Sequence, residues 1–433
     1  MTGASDLLTA VSLTPVSLDA DSRAYRVARS LAEIGFRSVV IEGQPSARRF
    51  WGEAIEVRSV ARPSRISGGA PRHSTRFHRV VAAARDGRLG AAAELALYVG
   101  FRGYDWWRHW HLPRRLLPKA GLYYVHSFEL YRAVAPVAAG LGAGVVYDAH
   151  DFYRGIEPSA LQRSFDRNRL RPFLDRLEDR FAAAADAVVT VSGGIADLME
   201  GSFGRRPSVL RNCHDERLDR PVARDLRSAL GLAAEDRLCV VVGNLKRGMA
   251  VEVAADALAL LPEQFHLAFL GRGYEAVAEK LPRHPARPRL HIGHFAAPNA
   301  VVPMIRSADL GLVLYEPRSE NYRHALPNGF FQIVAAGLPV IRTPLPEIEA
   351  TIAGRAVGAC LAQVEPSTLA QAIAGCAANT AALRPKVAAL ASELRWEVEA
   401  VRLRQLIAGM TARTAAQSPA VLAGSERKPY LAT

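Results

Sequence analysis

The chain alternates short, continuously apolar runs with stretches whose apolar positions recur every three or four residues. Continuous apolar runs suit strands covered on both faces, and the longer period suits the helices that cover them. Residues 8–16 read as a strand ending in a Pro/Ser/Asp loop, and residues 21–34 as a helix with Ala24, Val27, Ala28, Leu31 and Ile34 on one face, closed by Gly35. Residues 36–41, 121–126, 144–148 and 187–191 read as further strands, and the charge-rich segment 158–185 as a solvent-edged helix. The pattern pauses at the polar stretch 215–225 and restarts with strands at 238–242, 266–270, 289–293, 310–315 and 338–341. Helices are predicted between them at 250–261, 274–281, 299–307 and 327–336. The fold class is therefore α/β, with two doubly wound parallel-sheet domains facing a cleft.

A length of 433 residues fits two such domains of about 200 residues each. No apolar run reaches the roughly 20 residues that span a bilayer. The opening residues, MTGASDLLTAVSLTPVSL, lack a basic region and a cleavage site, so no secretory leader is expected. Cys213, Cys239, Cys360 and Cys376 are scattered without metal-ligand spacing, which fits a reducing cytoplasm and argues against a disulfide framework or zinc site.

Of the net charge of +13, +9 lies between Arg62 and Lys119, where twelve Arg or Lys face three acids. Trp106, Trp107 and Trp110 lie there too, with Phe101 and Tyr104. Basic residues mixed with interfacial aromatics suit an anionic membrane or a lipid-linked acceptor, and equally a solvated loop with packed aromatics. Without a recognition-helix, RRM or zinc-finger pattern, no nucleic acid is expected.

Ligands of open parallel sheets bind beyond the carboxyl ends of the strands. There Gly243-Asn244-Leu245-Lys246-Arg247-Gly248 links a strand to a helix; it lacks P-loop spacing, yet small residues and two cations suit a phosphate. A second turn, residues 321–330 with Pro327 at a helix start, suits the same anion. Gly271-Arg272-Gly273-Tyr274 and Gly293-His294-Phe295 end the intervening strands and either shape a slot for a flat base or only reverse the chain.

The run NYRHALPNGFFQIVAAGLPVI (residues 321–341) resembles the signature of retaining glycosyltransferases of the GT-B fold, glycosyltransferase family 4 type. VVYDAHDFY (145–153), RFAAAADAVVTVSGGIADLM (180–199) with SVLRN (208–212), ADLGLVLYEP (308–317) and the Trp396-Glu397 helix start resemble other segments of that family, in the same order. With the domain boundary at the polar pause, the resemblance implies an acceptor domain at 1–215 with a basic insertion at about 62–119, a nucleotide-sugar domain at 216–395 and a crossover helix at 396–413; the small, polar residues 414–433 read as a disordered tail. It implies a nucleoside diphosphate sugar as donor, a hydroxyl acceptor and no metal or other cofactor. Lys246 and Arg247 would neutralise the leaving diphosphate, with backbone N–H groups near Leu326, Asn328 and Phe330. Gly243, Asn244, Arg211, Asn212, Arg272, His294, Phe295, His324, Gly329 and Gln332 would complete the donor site. His150 would approach the transferred sugar, or merely cap a strand end, and Asp21, His126 and Asp151 would face the acceptor.

The sequence departs from the family pattern where a Glu, seven residues, Glu frame falls on His324 and Gln332, and where the usual lysine is replaced by Gly329. Two functions therefore stand: a working retaining transferase in polysaccharide, glycolipid or natural-product synthesis, or a catalytically impaired relative that partners an active one. The Ala- and Arg-heavy composition suggests a bacterial source. The expected location is the cytoplasm, with the basic insertion at the inner membrane face.

Overall fold

The computed structural model describes residues 8–46, 55–60, 100, 103–104, 106–156, 171–294 and 296–417. In the first domain, β1 (Thr9–Thr14), β2 (Arg37–Glu42), β3 (Glu56–Ser59), β4 (Leu122–Val125), β5 (Gly144–Ala149), β6 (Ala187–Thr190) and β7 (Ser208–Val209) form a parallel sheet. Its order is β3-β2-β1-β4-β5-β6-β7. In the second, β8 (Arg237–Val242), β9 (Phe265–Leu270), β10 (Leu290–His294), β11 (Leu310–Val313), β12 (Val340–Arg342) and β13 (Gly358–Cys360) form a parallel sheet ordered β10-β9-β8-β11-β12-β13. Each sheet thus has a switch point, between β1 and β4 and between β8 and β11, where the loops after neighbouring strands diverge and open a crevice.

The central strands are buried because helices cover both faces, and they are mostly apolar for the same reason. β1, β4 and β6 are buried at every position. Helix Ser22–Glu33 begins where the sequence pattern places it, since Asp21 caps it by accepting from the Ala24 N–H at 3.0 Å. The chain passes between domains twice, side by side: His214 bridges Arg395, and the Trp396 N–H donates to the His214 carbonyl at 2.9 Å. Helix Trp396–Gln417 then lies on the first sheet. Trp396 is fully buried and its indole N–H donates to Ser30 Oγ at 3.0 Å, while Leu403, Ile407 and Met410 pack with Ala10, Val27, Leu31, Tyr124 and Val146.

Several expectations need correction. Strands β3, β7 and β13 are too short or too exposed to show an apolar run, and helices Pro366–Ala378 and Thr380–Glu393 were not anticipated. The helix expected over 299–307 shrinks to Val301–Ile305. Residues 414–417, expected in a disordered tail, continue the last helix; residues 418–433 lie outside the described residues. Of the segment 158–185, helix Arg171–Ala184 is described.

Most of the basic insertion, residues 61–99, 101–102 and 105, also lies outside the described residues. The three tryptophans that end it do not share one fate. Trp106 and Trp110 stack at 5.6 Å, with Arg132 over Trp110 at 4.5 Å, whereas Trp107 is 48% exposed beside Tyr104, 60% exposed.

Candidate functional site

The carboxyl edges of the two sheets face each other across a cleft of about 530 Å³, within the range of small-molecule sites. Five hydrogen bonds between the domains fix one end of it. The Asn321 side chain accepts from the Phe152 N–H at 2.8 Å and donates to Asp151 Oδ1 at 2.9 Å. Ser192 Oγ donates to the His324 carbonyl at 2.9 Å, and Glu347 accepts from the Gly193 and Gly194 N–H groups at 3.0 and 2.6 Å.

The wall on the second domain is formed by Gly243, Asn244 and Lys246 after β8, and by Leu326, Pro327, Asn328, Gly329, Phe331 and Gln332. Gly243 adopts φ +116°, open to glycine at little strain, and its carbonyl accepts from the Tyr274 hydroxyl at 2.9 Å. Asn244 Oδ1 accepts from the Arg272 N–H at 3.0 Å, which ties the two turns together. Helix Asn328–Ala335 starts at the cleft with Pro327 as its N-cap. Its first N–H groups lack intrahelical acceptors, so this end is positively polarised. Gly329 sits so close under β8 that a Cβ there would run into the Val242 carbonyl oxygen. A lysine at 329 is excluded by packing.

The wall on the first domain carries Asp19, Asp21, Arg23, Arg26, His126, His150, Asp151 and Asn212. At its base is a buried ion pair. The Arg23 guanidinium donates to Asp148 from Nε at 2.8 Å and from Nη2 at 3.0 Å, and to the Leu210 carbonyl at 2.7 Å. Burial alone would raise the Asp148 pKa, but Arg23 and the imidazole of His150 hold it well below the ordinary carboxylate range. Above the pair, His126 Nδ1 and His150 Nε2 lie 3.0 Å apart. Burial pushes His126 down to about 4, so it is neutral at pH 7. Burial works against the charged form of His150 too, yet the Asp148 carboxylate outweighs it and its pKa is raised. When His150 is protonated its Nε2–H donates to His126 Nδ1, which places the proton of His126 on Nε2. That atom is buried and has no hydrogen-bond partner. Asp21, despite its burial, is held below its usual pKa by the two histidines and by the Ala24 N–H.

Asp21, His126 and His150 offer one oxygen and two nitrogens within 4.8 Å of one another, enough to hold a metal ion. A dication there would displace the His150 proton and join Arg23, Arg26 and Lys246 in lining one cleft. In that lining the three cations stand beside Asp19, Asp21 and Asp151, and Arg23 is itself paired with Asp148.

The sequence-derived residues thus divide. Gly243, Asn244, Lys246, Asn212, Leu326, Asn328, Gly329, Gln332, Asp21, His126, His150 and Asp151 line the cleft. Arg247 is exposed and is not among the lining residues, so of the expected cation pair only Lys246 lines the cleft. The helix after β8 begins at Val251, behind the buried Met249 and Ala250, and its start does not reach the cleft. Arg211 serves the hinge, its N–H donating to Glu399 at 3.0 Å. Arg272 contributes its backbone to the Asn244 turn rather than a lining side chain. Phe330 is fully buried and its N–H donates to the Pro327 carbonyl at 3.0 Å. His324 packs against Gly194, where a Cβ would strike its ring, outside the cleft lining. The side chain of His294 and all of Phe295 lie outside the described residues. Sequence reading missed Arg23, Arg26 and Asn321. The alternation of Arg23 and Arg26 with the apolar face of their helix was a usable signal, since both interrupt an otherwise core-facing surface.

The doubled parallel sheets, the cleft between their carboxyl edges and the last helix returning over the hinge define a GT-B protein. Residues 236–379, all within the second domain, match the family described as glycosyl transferases group 1. A comparison with curated protein sequences finds no match. Among solved structures, sucrose-phosphate synthase from Thermosynechococcus elongatus superposes with TM-score 0.63 at 16% identity, covering 94% of this chain and 100% of that one. HepE from Anabaena, solved in complex with UDP-glucose, gives 0.63 at 16% identity over 93% and 99% of the two chains. WaaG, a glycosyltransferase involved in lipopolysaccharide biosynthesis, gives 0.51 at 16% identity over 89% and 95%. At these identities the likeness establishes the fold.

Proposed function

We propose that the protein is a retaining glycosyltransferase that moves a hexose from a nucleoside diphosphate sugar to a hydroxyl acceptor. The observation that carries this reading is the pairing of Lys246 with the positively polarised start of helix Asn328–Ala335 on one cleft wall, facing a polar His150 and Asp21 wall on the other. The second domain would hold the diphosphate, whose negative charge grows as the glycosidic bond breaks. Lys246 and the helix-start N–H groups are aimed at that charge before it develops, and this lowers the barrier without a metal. His150, whose pKa is raised by Asp148, would hydrogen-bond a hydroxyl of the transferred sugar. In a front-face mechanism the acceptor proton goes to the departing diphosphate oxygen, so no side chain is assigned as general base. Gln332 would accept one ribose hydroxyl.

The test is release of nucleoside diphosphate from nucleotide-sugars in the presence of sugar, glycolipid and aglycone acceptors, with and without EDTA. Turnover that persists in EDTA and fails in Lys246→Ala supports the reading. Absence of turnover with every donor favours the alternative, a relative that assists an active transferase, for which Gln332 in place of an acid is the motivating residue.

Among the described residues, no helix is long and apolar enough to cross a membrane. A peripheral contact is proposed through the exposed Tyr104 and Trp107 with the exposed Arg114, Arg115 and Lys119. Salt-sensitive pelleting with anionic vesicles supports it, and no pelleting dismisses it.

A further inference from the structure

We infer that Arg26, on the first domain, binds the phosphates of the nucleoside diphosphate, supplying from across the cleft the second cation that the donor wall lacks. The inference rests on the donor reading and goes beyond it, because it assigns part of the donor site to the acceptor domain.

Among the described residues, Lys246 is the only cationic side chain that the second domain contributes to the cleft lining. Arg247 is not among the lining residues, and the packing of Gly329 under the Val242 carbonyl leaves no room for a side chain at that position. A nucleoside diphosphate carries at least two negative charges, so one lysine leaves it under-compensated. On the opposite wall, Arg23 is saturated by Asp148 and the Leu210 carbonyl. Arg26, one helical turn on, is 5% exposed and lines the cleft, yet no carboxylate lies within ion-pair distance of it among the described residues. Its Nε has no hydrogen-bond partner, and its Nη2 is engaged only by the neutral Asn212 side-chain oxygen. Asp215 and Asp21 act on it only from beyond ion-pair distance; a buried guanidinium with no carboxylate in contact is costly, and an anionic ligand would relieve that cost. Burial and the neighbouring Arg23 pull its pKa to about 10, so it remains charged at neutral pH.

The direction in which that charge acts is set by Asn212. It accepts from Arg26 with its oxygen and donates with its amide to Asn328 Oδ1, the first residue of helix Asn328–Ala335. One side chain therefore separates the unpaired guanidinium from the helix start where the diphosphate would rest. Trp396 lies under the guanidinium at 5.2 Å and fixes its plane. An arginine fork suits two phosphate oxygens at once. Because Arg26 and Lys246 belong to different domains, a diphosphate held by both would also draw the cleft closed.

The same guanidinium could instead serve an anionic acceptor, and titration with diphosphate alone separates the two. The full chain, its Arg26→Gln variant and its Arg26→Lys variant are titrated calorimetrically with the diphosphate that the wild type selects from UDP, GDP, ADP and TDP, and with the matching nucleoside. Arg26→Gln is expected to weaken diphosphate binding ten- to a hundredfold, to leave the nucleoside within twofold, and to flatten the salt dependence of the diphosphate. Arg26→Lys, which keeps the charge and cover for Trp396, is expected to fold and lose three- to tenfold. Diphosphate binding within twofold of wild type in Arg26→Gln overturns the inference and hands Arg26 to the acceptor. Should Arg26→Gln fail to fold, equal weakening of diphosphate and nucleoside in Arg26→Lys overturns it. A wild type that binds no diphosphate sinks the donor reading itself.

Discussion

Removing the Asp148 carboxylate is the sharpest perturbation of the first-domain wall. Asp148 is fully buried, and Arg23, its partner at 2.8 Å, is 1% exposed. Asp148 also accepts from the Tyr124 hydroxyl at 3.1 Å. Asp148→Ala leaves a buried guanidinium with only the Leu210 carbonyl, and breaking such a pair costs about 3–5 kcal/mol, a large share of a domain's stability. The pair itself is worth much less than this, because its burial desolvates both charges. Arg23→Met with Asp148→Ala should therefore recover at least about 2 kcal/mol relative to the sum of the single losses. Urea unfolding followed by tryptophan fluorescence gives the four stabilities of the cycle. A second substitution at this position tests the titration of His150, whose raised pKa depends on Asp148. In an NMR titration of Asp148→Asn, the His150 pKa should fall below its wild-type value. A loss under about 1 kcal/mol in Asp148→Ala, strict additivity in the cycle, or an unmoved His150 would refute the reasoning.

His126, pushed down to about 4 from 6.5, refuses a proton in the folded state that the unfolded chain accepts. Between those two pH values its contribution to stability therefore rises with pH, by roughly 3 kcal/mol in all. His150, raised, opposes it, adding stability at low pH that is lost as pH climbs through its folded pKa. His126→Gln should remove the first slope and make the protein relatively more acid-stable, which unfolding at pH 4.5 and 7 would show; an unchanged pH profile would contradict it. Trp396→Ala deletes the fully buried anchor of the returning helix and its bond to Ser30, and should cost about 3–5 kcal/mol. A loss below about 1 kcal/mol would mean that helix Trp396–Gln417 is not held through its first turn. Gln332→Glu should tighten nucleoside diphosphate binding several-fold if the side chain accepts a ribose hydroxyl, since a charged acceptor roughly doubles the bond strength. Calorimetry showing no change removes Gln332 from the ribose site.

The two doubly wound domains were legible because most of the central parallel strands are short apolar runs, whereas the helices between them repeat their apolar positions every three or four residues. The edge strands β3, β7 and β13 were missed for the same reason in reverse: two to four residues with partly exposed side chains leave no apolar run. Among site residues, those at strand ends and turns, such as Gly243, His126, His150 and Pro327, could be read because chain topology alone delivers them to the sheet edge. Arg247 could not be told from Lys246, since which of two adjacent cations faces the cleft depends on the turn's dihedrals. Arg23 and Arg26 lie on the buried face of an amphipathic helix, and their partners Asp148 and Asn212 lie more than a hundred residues away in the chain. Only the packed structure brings them together. The substitution at 329 reads from sequence as a lost cation; the Val242 carbonyl beside it shows that the backbone has closed over that position.

The central claim is that the cleft recognises a nucleoside diphosphate through Lys246 and the start of helix Asn328–Ala335. Calorimetric titration of wild type and Lys246→Ala with UDP, GDP, ADP and TDP in the absence of any acceptor tests it most directly. The account predicts saturable binding of one of them by the wild type, weakened at least tenfold by Lys246→Ala. Binding of none, or of one with equal affinity by both proteins, would contradict it.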